Sequence, residues 1–441
     1  MGLPALSPSC SAQTLYRPRD PQSTPLYLLL DSLYEKVKAV WEDRFERRYG
    51  FWRGFVDTAV ARYLDCGIFE NGFARVKCKQ CPSEFLVALS CKVRGLCPSC
   101  GAKRAAAFAA FLKDELLEEV GHALWSFTLP KMLRPYFLNH RELLGELCQA
   151  AYETVHELMV AAVEEEDFRP GMVALIQTFA DSLRWNPHIH ALATRGGWTA
   201  EGQWVPVPYI DSHAAELLFR HKVIRLLKDK GLLSDERINL LLSWKNHTGF
   251  SVDNSVTVYP NDETGLESVA RYMLRSPVSL QRLHFLPDTQ QVLYQAKRGE
   301  ERNTLEPIDP MEFVARVLIH IPDPNKHSVH YFGHYASAAR ALRKTTEAEV
   351  SHETTPCSDE QTDSTSPSTP IAALRRSWRY LIRRVYQVDP LVCPRCGGEM
   401  RVISFITKPK LIRTILDHLK KRDPKSRAPP NSEPESVSLP L

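Results

Sequence analysis

The sequence predicts a multi-domain α+β protein: a zinc ribbon with helical flanks, an antiparallel sheet carrying helices, and a basic C-terminal region. Three observations carry that reading. Two Cys-x-x-Cys pairs lie fifteen residues apart, Cys78/Cys81 and Cys97/Cys100. The middle of the chain mixes alternating, strand-like runs with longer helical ones, which suits an α+β core. A polar Ser/Thr-rich stretch at 345–370 then separates this core from an arginine-rich segment with a further CxxC. At 441 residues the chain has room for two to four domains, given roughly 150 residues per domain. With 44% hydrophobic and 24% charged residues it is neither wholly disordered, nor collagen-like, nor a small disulfide scaffold. A net charge of +4 is mild, so local clustering must decide whether a polyanion binds.

The elements follow in order. Residues 1–25 read as a loose arm rich in Pro and Ser, without the basic start and apolar run of a signal peptide. No stretch approaches the ~20 apolar residues of a membrane span, so a cytoplasmic protein with no membrane partner is expected. Residues 26–65 are helical, with Leu30, Leu33, Val37, Val40 and Trp41 at core spacing. The run AAAFAAFLKDELLEEV from Ala105 is a strong helix former. HALWSFTL (122–129) is a strand ended by Pro130, and 141–165 is a long helix. GMVALIQTFA (171–180) and HIHALATRG (188–196) are strands joined by a short polar link. Residues 213–228 and 234–244 are helical, and 249–259 alternates as a strand does. Asp262 to Leu274 is a helix capped by Asn261 or Asp262. A hairpin around Asp288 spans 280–297, and a helix with Pro310 in its first turn runs over 309–322. The stretch 345–370 reads as a flexible linker, and the chain from about Arg422 as a disordered tail.

The 11 cysteines are odd in number and carry no export signal, which favours reduced thiols and metal over disulfides. Two CxxC turns bring four thiolates to one ion at Zn–S of about 2.3 Å, so Cys78, Cys81, Cys97 and Cys100 are expected to share one structural zinc. Cys66 and Cys91 either join a larger site or pack in the core, and Cys393/Cys396 offers only two visible ligands. Arg94, Lys103 and Arg104 near the ribbon, and Arg379 and Arg383 in LRRSWRYLIRRVYQ, suit phosphate contact. A solvated basic face is the alternative for the first group, and a basic helix packed on its own domain for the second.

His188-Ile189-His190 puts two imidazoles on one face of a strand, a metal half-site. A hairpin centred between Leu183 and Arg184 would set Gln177 opposite His190 and Phe179 opposite His188. Gln177 is then a candidate third ligand or a partner of one. Tyr272, between Arg271 and Arg275, offers a nucleophile that a metal and guanidinium groups would activate. A core tyrosine on an amphipathic helix is the plainer reading.

Taken in order, FENGFARVKCKQCPSEFLVALSCKVRGLCPSCGAKR, WSFTLPKMLRP, NPHIHALATRGG, ARYMLRSPVS, DPMEFVARVLIHIPDPNKHSVHYFGHYAS and VDPLVCPRCGGEMRVISFI closely resemble rolling-circle transposases of the insertion sequence 91 family, within the HUH nuclease superfamily. The resemblance runs from about residue 30 to 408. It implies domains at 26–120 (zinc and DNA binding), 121–340 (HUH catalysis), 341–372 (linker), 373–421 (basic, with a CxxC knuckle) and 422–441 (tail). It further implies that His188 and His190 hold Mg²⁺ or Mn²⁺ and that Tyr272 forms a 5′-phosphotyrosine bond; Arg271 and Arg275, flanking that tyrosine, are the residues expected to meet the phosphate. The substrate would be single-stranded DNA at transposon ends. Founding members carry a second tyrosine four residues earlier, where this chain has Ser268. Two competing readings are an inactive relic that keeps a DNA-binding zinc ribbon, and a metallohydrolase that attacks a small substrate with water. The lack of an H-E-x-x-H string weighs against the second.

Overall fold

The computed structural model describes residues 20–244, 248–286, 288–289, 291–295, 305–343, 391–393 and 395–422. The expected arm before residue 20, the linker from 344, Arg379 and Arg383, and the tail from 423 lie outside the described residues. Two compact units emerge, and both are discontinuous in sequence. The larger takes Gln22–Leu64 and Lys92–Gln387; the smaller takes Met1–Pro21, Asp65–Cys91 and Val388–Leu441. The expected 26–120 domain therefore contributes to both.

The larger unit is built on a five-stranded antiparallel sheet. Its strands lie in the order Val329–Gly333, Gly171–Phe179, Trp185–Thr194, His122–Thr128 and Ser251–Val258. Four of these were legible as alternating or apolar runs; Val329–Gly333 was not, because its five residues are all half-buried and show no alternation. The side chains divide by parity. Trp125, Phe127, Met172, Ala174, Ile189, Ala191 and Ala193 pack with the helices Leu143–Val163 and Ser212–Asp229 on one face. Leu124, Val173, Leu175 and Leu192 pack on the other against Phe108 of helix Pro98–Phe111 and Val269, Ala270 and Met273 of helix Glu263–Met273. Trp185–Thr194 is thus covered on both faces, and its last eight residues are buried.

Caps set where the helices start. The Asp262 carboxylate accepts from Gly265 N–H at 2.8 Å, and that of Asp309 accepts from Glu312 N–H at 2.9 Å. The expected 26–65 helix is broken into Pro25–Ala39, a π-helical turn Trp41–Phe45, Glu46–Tyr49 and Phe55–Leu64, with Gly50 at φ +78° ending the third piece. The hairpin at 280–297 gains a third strand, Leu305–Ile308.

In the smaller unit, Phe73–Cys78 is the centre of a three-stranded antiparallel sheet between Met400–Ile406 and Glu84–Ala88. Helix Pro409–Arg422 lays Ile412 and Leu416 against Phe73.

Two buried histidines of the larger unit are built to stay neutral. His320 accepts from Thr178 Oγ1 at 3.0 Å through Nδ1 and donates to the Leu183 carbonyl at 3.0 Å through Nε2. Burial pulls its pKa down to about 3, and burial pulls that of His122 down to about 4. The unfolded chain takes up these protons near the ordinary value of about 6.5. Stability is therefore full above that value and falls as the pH drops toward the folded values. Urea denaturation between pH 7 and pH 4.5 should show this acid limb. His320→Gln should make it shallower, by up to about 1.4 kcal/mol per pH unit.

Candidate active site

His188 and His190 are both even-numbered residues of Trp185–Thr194. They share the face that carries Leu192, while Ile189 and Ala191 enter the opposite core. Their rings are 4.8 Å apart and nearly perpendicular. Each Nδ1 is spoken for. His188 Nδ1 donates to the Asn186 carbonyl at 2.7 Å, which fixes the tautomer in which Nε2 could serve as a ligand nitrogen. His190 Nδ1 lies 2.9 Å from Ser126 Oγ on the neighbouring strand, where Ser126 is the direct cross-strand partner of His190. The Tyr272 ring stands 4.8 Å from the His190 ring, edge-on. The structure therefore brings Tyr272, His188 and His190 together.

These three residues open onto a cavity of 870 Å³ in the larger unit. Lys131, Arg134, Arg184 and Arg275 line it, against two acids, Asp181 and Asp253. The excess of cations suits a phosphate backbone. Arg275 lies over both the Tyr272 and Phe179 rings, at 5.3 and 5.0 Å. Arg271 does not join it. That side chain is exposed and paired with Glu267 at 2.6 Å, one helical turn back.

The hairpin register differs from the expected one by two residues. Gln177 pairs with His188 and Leu175 with His190, while Phe179 pairs with Trp185 across an irregularity. The cause is the connection: Ser182 and Leu183 both have positive φ, 58° and 57°, in a turn over Asp181–Leu183. A shift of two keeps the same face, so Gln177 still points toward the site. Its side chain is bonded to the tyrosine helix. Gln177 Nε2 donates to the carbonyls of Tyr272 (3.0 Å) and Met273 (2.6 Å), and its Oε1 accepts from Arg275 Nε at 3.3 Å. It anchors the C-terminal end of the tyrosine helix to the histidine sheet.

Two imidazoles on one strand face are a half-site that a divalent cation could occupy. Two oriented imidazoles are joined at the cavity wall by Asn186, whose Oδ1 is buried with no hydrogen-bond partner among the described residues. Among the described residues, His188 and His190 belong to no group of three His, Cys, Asp or Glu whose ligand atoms all lie within 4.8 Å of one another. Ser126, Asn186, Lys131, Arg134 and Asp253 were missed by sequence reasoning. Strand alternation alone points Ser126 to the histidine face; the others depend on how loops meet at the cavity.

Arg94 and Arg104 line a second cavity of the larger unit, of 460 Å³, with Arg141, Arg275 and Lys326. It shares Phe179 and Arg275 with the first. Burial, aided by nearby Arg53, holds Arg141 down to about 9. Lys103 is not in its lining.

The cysteines pair differently from expectation. Cys78 and Cys81 meet Cys393 and Cys396 in the smaller unit, with all four sulfurs within 4.8 Å of one another. Cys97 and Cys100 instead open helix Pro98–Phe111 of the larger unit. In the smaller unit the Cys91 N–H donates to Cys66 Sγ at 3.3 Å. Spacing within a CxxC reveals the local turn but not which second turn completes it. Of the basic residues near the ribbon, Arg75 is held by both oxygens of Glu84, and Lys79 is paired with Glu399.

Two family models match the chain. "Transposase zinc-binding domain" covers residues 37–129 and "Putative transposase" covers residues 171–343. Among curated proteins, a transposase for insertion sequence element IS801 from Pseudomonas savastanoi pv. phaseolicola is 24% identical over 371 residues, 79% of this chain and 83% of the relative. A protein described as putative transposase y4qJ from Sinorhizobium fredii is 26% identical over 275 residues, 58% of this chain and 68% of the relative. No solved structure matches significantly.

Gln177→Glu separates anchor from ligand. A carboxylate cannot donate to the Tyr272 and Met273 carbonyls, and leaving such acceptors unmet costs about 1–3 kcal/mol. Denaturation should show that loss, and titration with Mn²⁺ should show no gain in affinity. Tighter Mn²⁺ binding at unchanged stability would make Gln177 a ligand.

Proposed function

The chain belongs to the insertion sequence 91 family of transposases, and from that premise we propose that it cuts and transfers single-stranded DNA through a covalent bond to Tyr272. The observation that carries this is the packing of Tyr272 against His190 in a cavity lined by four cationic side chains. A nucleophile, an imidazole pair and a phosphate-binding wall are the parts that phosphodiester transfer needs.

The Tyr272 oxygen attacks the scissile phosphorus. A bond forms between that oxygen and the 5′ phosphate, the bond to the 3′ oxygen breaks, and the strand leaves with a 3′-hydroxyl. The proton given up by the phenol balances the one gained by the leaving oxygen. Because one phosphodiester replaces another, rejoining to a new 3′-hydroxyl needs no nucleotide cofactor. Arg275 faces the reacting phosphate from above the tyrosine ring, and Lys131, Arg134 and Arg184 hold the flanking strand. Mg²⁺ or Mn²⁺ held by His188 and His190, with Asn186 Oδ1 beside them, would polarise the phosphate and take up charge in the transition state. Ser126 and the Asn186 carbonyl keep both imidazoles oriented for that task. Arg94 and Arg104 receive the strand where it leaves the reacting cavity past Phe179. One tyrosine, with Ser268 exposed a turn earlier, gives one covalent attachment per chain in a rolling-circle-type transfer.

A labelled single strand carrying the element's end tests this. Wild type with Mg²⁺ should form a covalent adduct that Tyr272→Phe abolishes and EDTA prevents. His188→Ala should reduce it by at least about 100-fold. Cleavage without an adduct, unchanged by Tyr272→Phe, would replace tyrosine by activated water. Binding without cleavage of a confirmed cognate end would mark an inactive relic. Ser126→Ala should cost less, about 10–100-fold, as the loss of an orienting partner does. Excess Mn²⁺ should recover much of that activity.

A further inference from the structure

The geometry points to a structural zinc site divided between the two ends of the chain, with Cys78 and Cys81 supplying half of its thiolates and Cys393 and Cys396 the other half. All four belong to the smaller unit. Cys78 Sγ lies 3.5 Å from Cys396 Sγ, and Cys81 Sγ lies 3.6 Å from Cys393 Sγ. A disulfide would need about 2.05 Å. A tetrahedron with Zn–S near 2.3 Å has edges of about 3.8 Å, which these separations approach on both diagonals of the pairing. Four sulfurs with no oxygen or imidazole among them select zinc and leave no position for water.

Two knuckles of similar build face each other. In the first, Cys78 N–H donates to the Ser83 carbonyl at 2.9 Å and Gln80 N–H to Cys78 Sγ at 3.3 Å. In the second, Cys393 N–H donates to the Gly398 carbonyl at 2.8 Å and Gly397 N–H to the Cys393 carbonyl at 2.9 Å. The two glycines after Cys396 serve this meeting. Gly397 takes φ +71°, and a Cβ on Gly398 would stand 2.5 Å from Gln80 Oε1, inside the first knuckle. Lys79 N–H donates to the Glu399 carbonyl at 3.0 Å, and Cys78 is the cross-strand partner of Met400. The backbone pairing therefore places the knuckles side by side. Of these four, Cys78 and Cys81 fall inside the 37–129 match to the zinc-binding domain and Cys393 and Cys396 outside it. The segment around Cys393 supplies the second half of the site.

Zinc content and thiol protection are read without DNA, so failure here leaves the cleavage reading standing, and the reverse. In purified full-length protein, elemental analysis of Cys393→Ser/Cys396→Ser should show one zinc equivalent fewer than wild type. Cys78→Ser/Cys81→Ser should lose the same one, and the quadruple variant should lose no more. Cys396→His, which keeps a zinc ligand, should retain it. Should the serine variants fold poorly, wild type alone decides. During chelator titration, alkylation followed by mass spectrometry should show Cys78, Cys81, Cys393 and Cys396 becoming reactive together. Wild-type zinc content in Cys393→Ser/Cys396→Ser, or alkylation of Cys393 and Cys396 while Cys78 and Cys81 stay protected, would overturn the divided site.

Discussion

The two-residue alternation of Trp185–Thr194 is the constraint on which the larger unit depends. This strand is third of five, with neighbours on both sides and helices on both faces. Ile189, Ala191 and Ala193 fill one core, so His188 and His190 must face the other way. A one-residue slip would drive both imidazoles into that apolar core and turn apolar side chains toward the cavity. The burial of the odd residues therefore enforces the position of the even ones. Polar groups this deep are tolerable only with partners, and Ser126 and the Asn186 carbonyl supply them.

The same face then recruits the tyrosine. Val269, Ala270 and Met273 bury against Leu124, Val173, Leu175 and Leu192, which seats helix Glu263–Met273 on the sheet. Apolar contact alone sets the helix down without fixing its axial position. Gln177 supplies that position by binding the last two carbonyls of the tyrosine helix and the arginine that follows them. One side chain on the strand beside the histidines thus sets where Tyr272 and Arg275 stand. That division between apolar seating and polar indexing explains why a glutamine, whose amide both donates and accepts, occupies a buried sheet position.

Much of this was legible in the sequence because it is local. The strands at 122–129, 171–180 and 249–259 and the helices at 141–165 and 213–228 follow from periodicity and breakers, and the HxH spacing gives the shared face directly. What escaped depends on geometry between segments. Alternation puts the Gln177 side chain on the histidine face, but its partners are not legible, because they are carbonyls, which every residue has. Arg271 and Arg275 look alike in sequence. Their divergence comes from the helix ending at Met273, which leaves Arg271 on the exposed flank and carries Arg275 back over the ring. Cys78 and Cys97 look equally like halves of one ribbon. Nothing in their spacing says that a knuckle 312 residues beyond Cys81 lies closer.

The extent of the core gives the divided cysteine set its physical reason. Among the described residues of the smaller unit, the apolar cluster has three buried members, Phe73, Ile412 and Leu416, and Phe405 on the third strand is 70% exposed. A core of that extent offsets little of the entropy of ordering two separate chain segments. The strand pairing from Phe73–Cys78 to Met400–Ile406 has the same difficulty, since its register must be found across more than three hundred residues. Four thiolates on one ion remove both problems at once. They add binding energy that a small core lacks, and they hold Cys78 opposite Met400 at one end of a strand pairing whose register shifts between Arg75 and Val76.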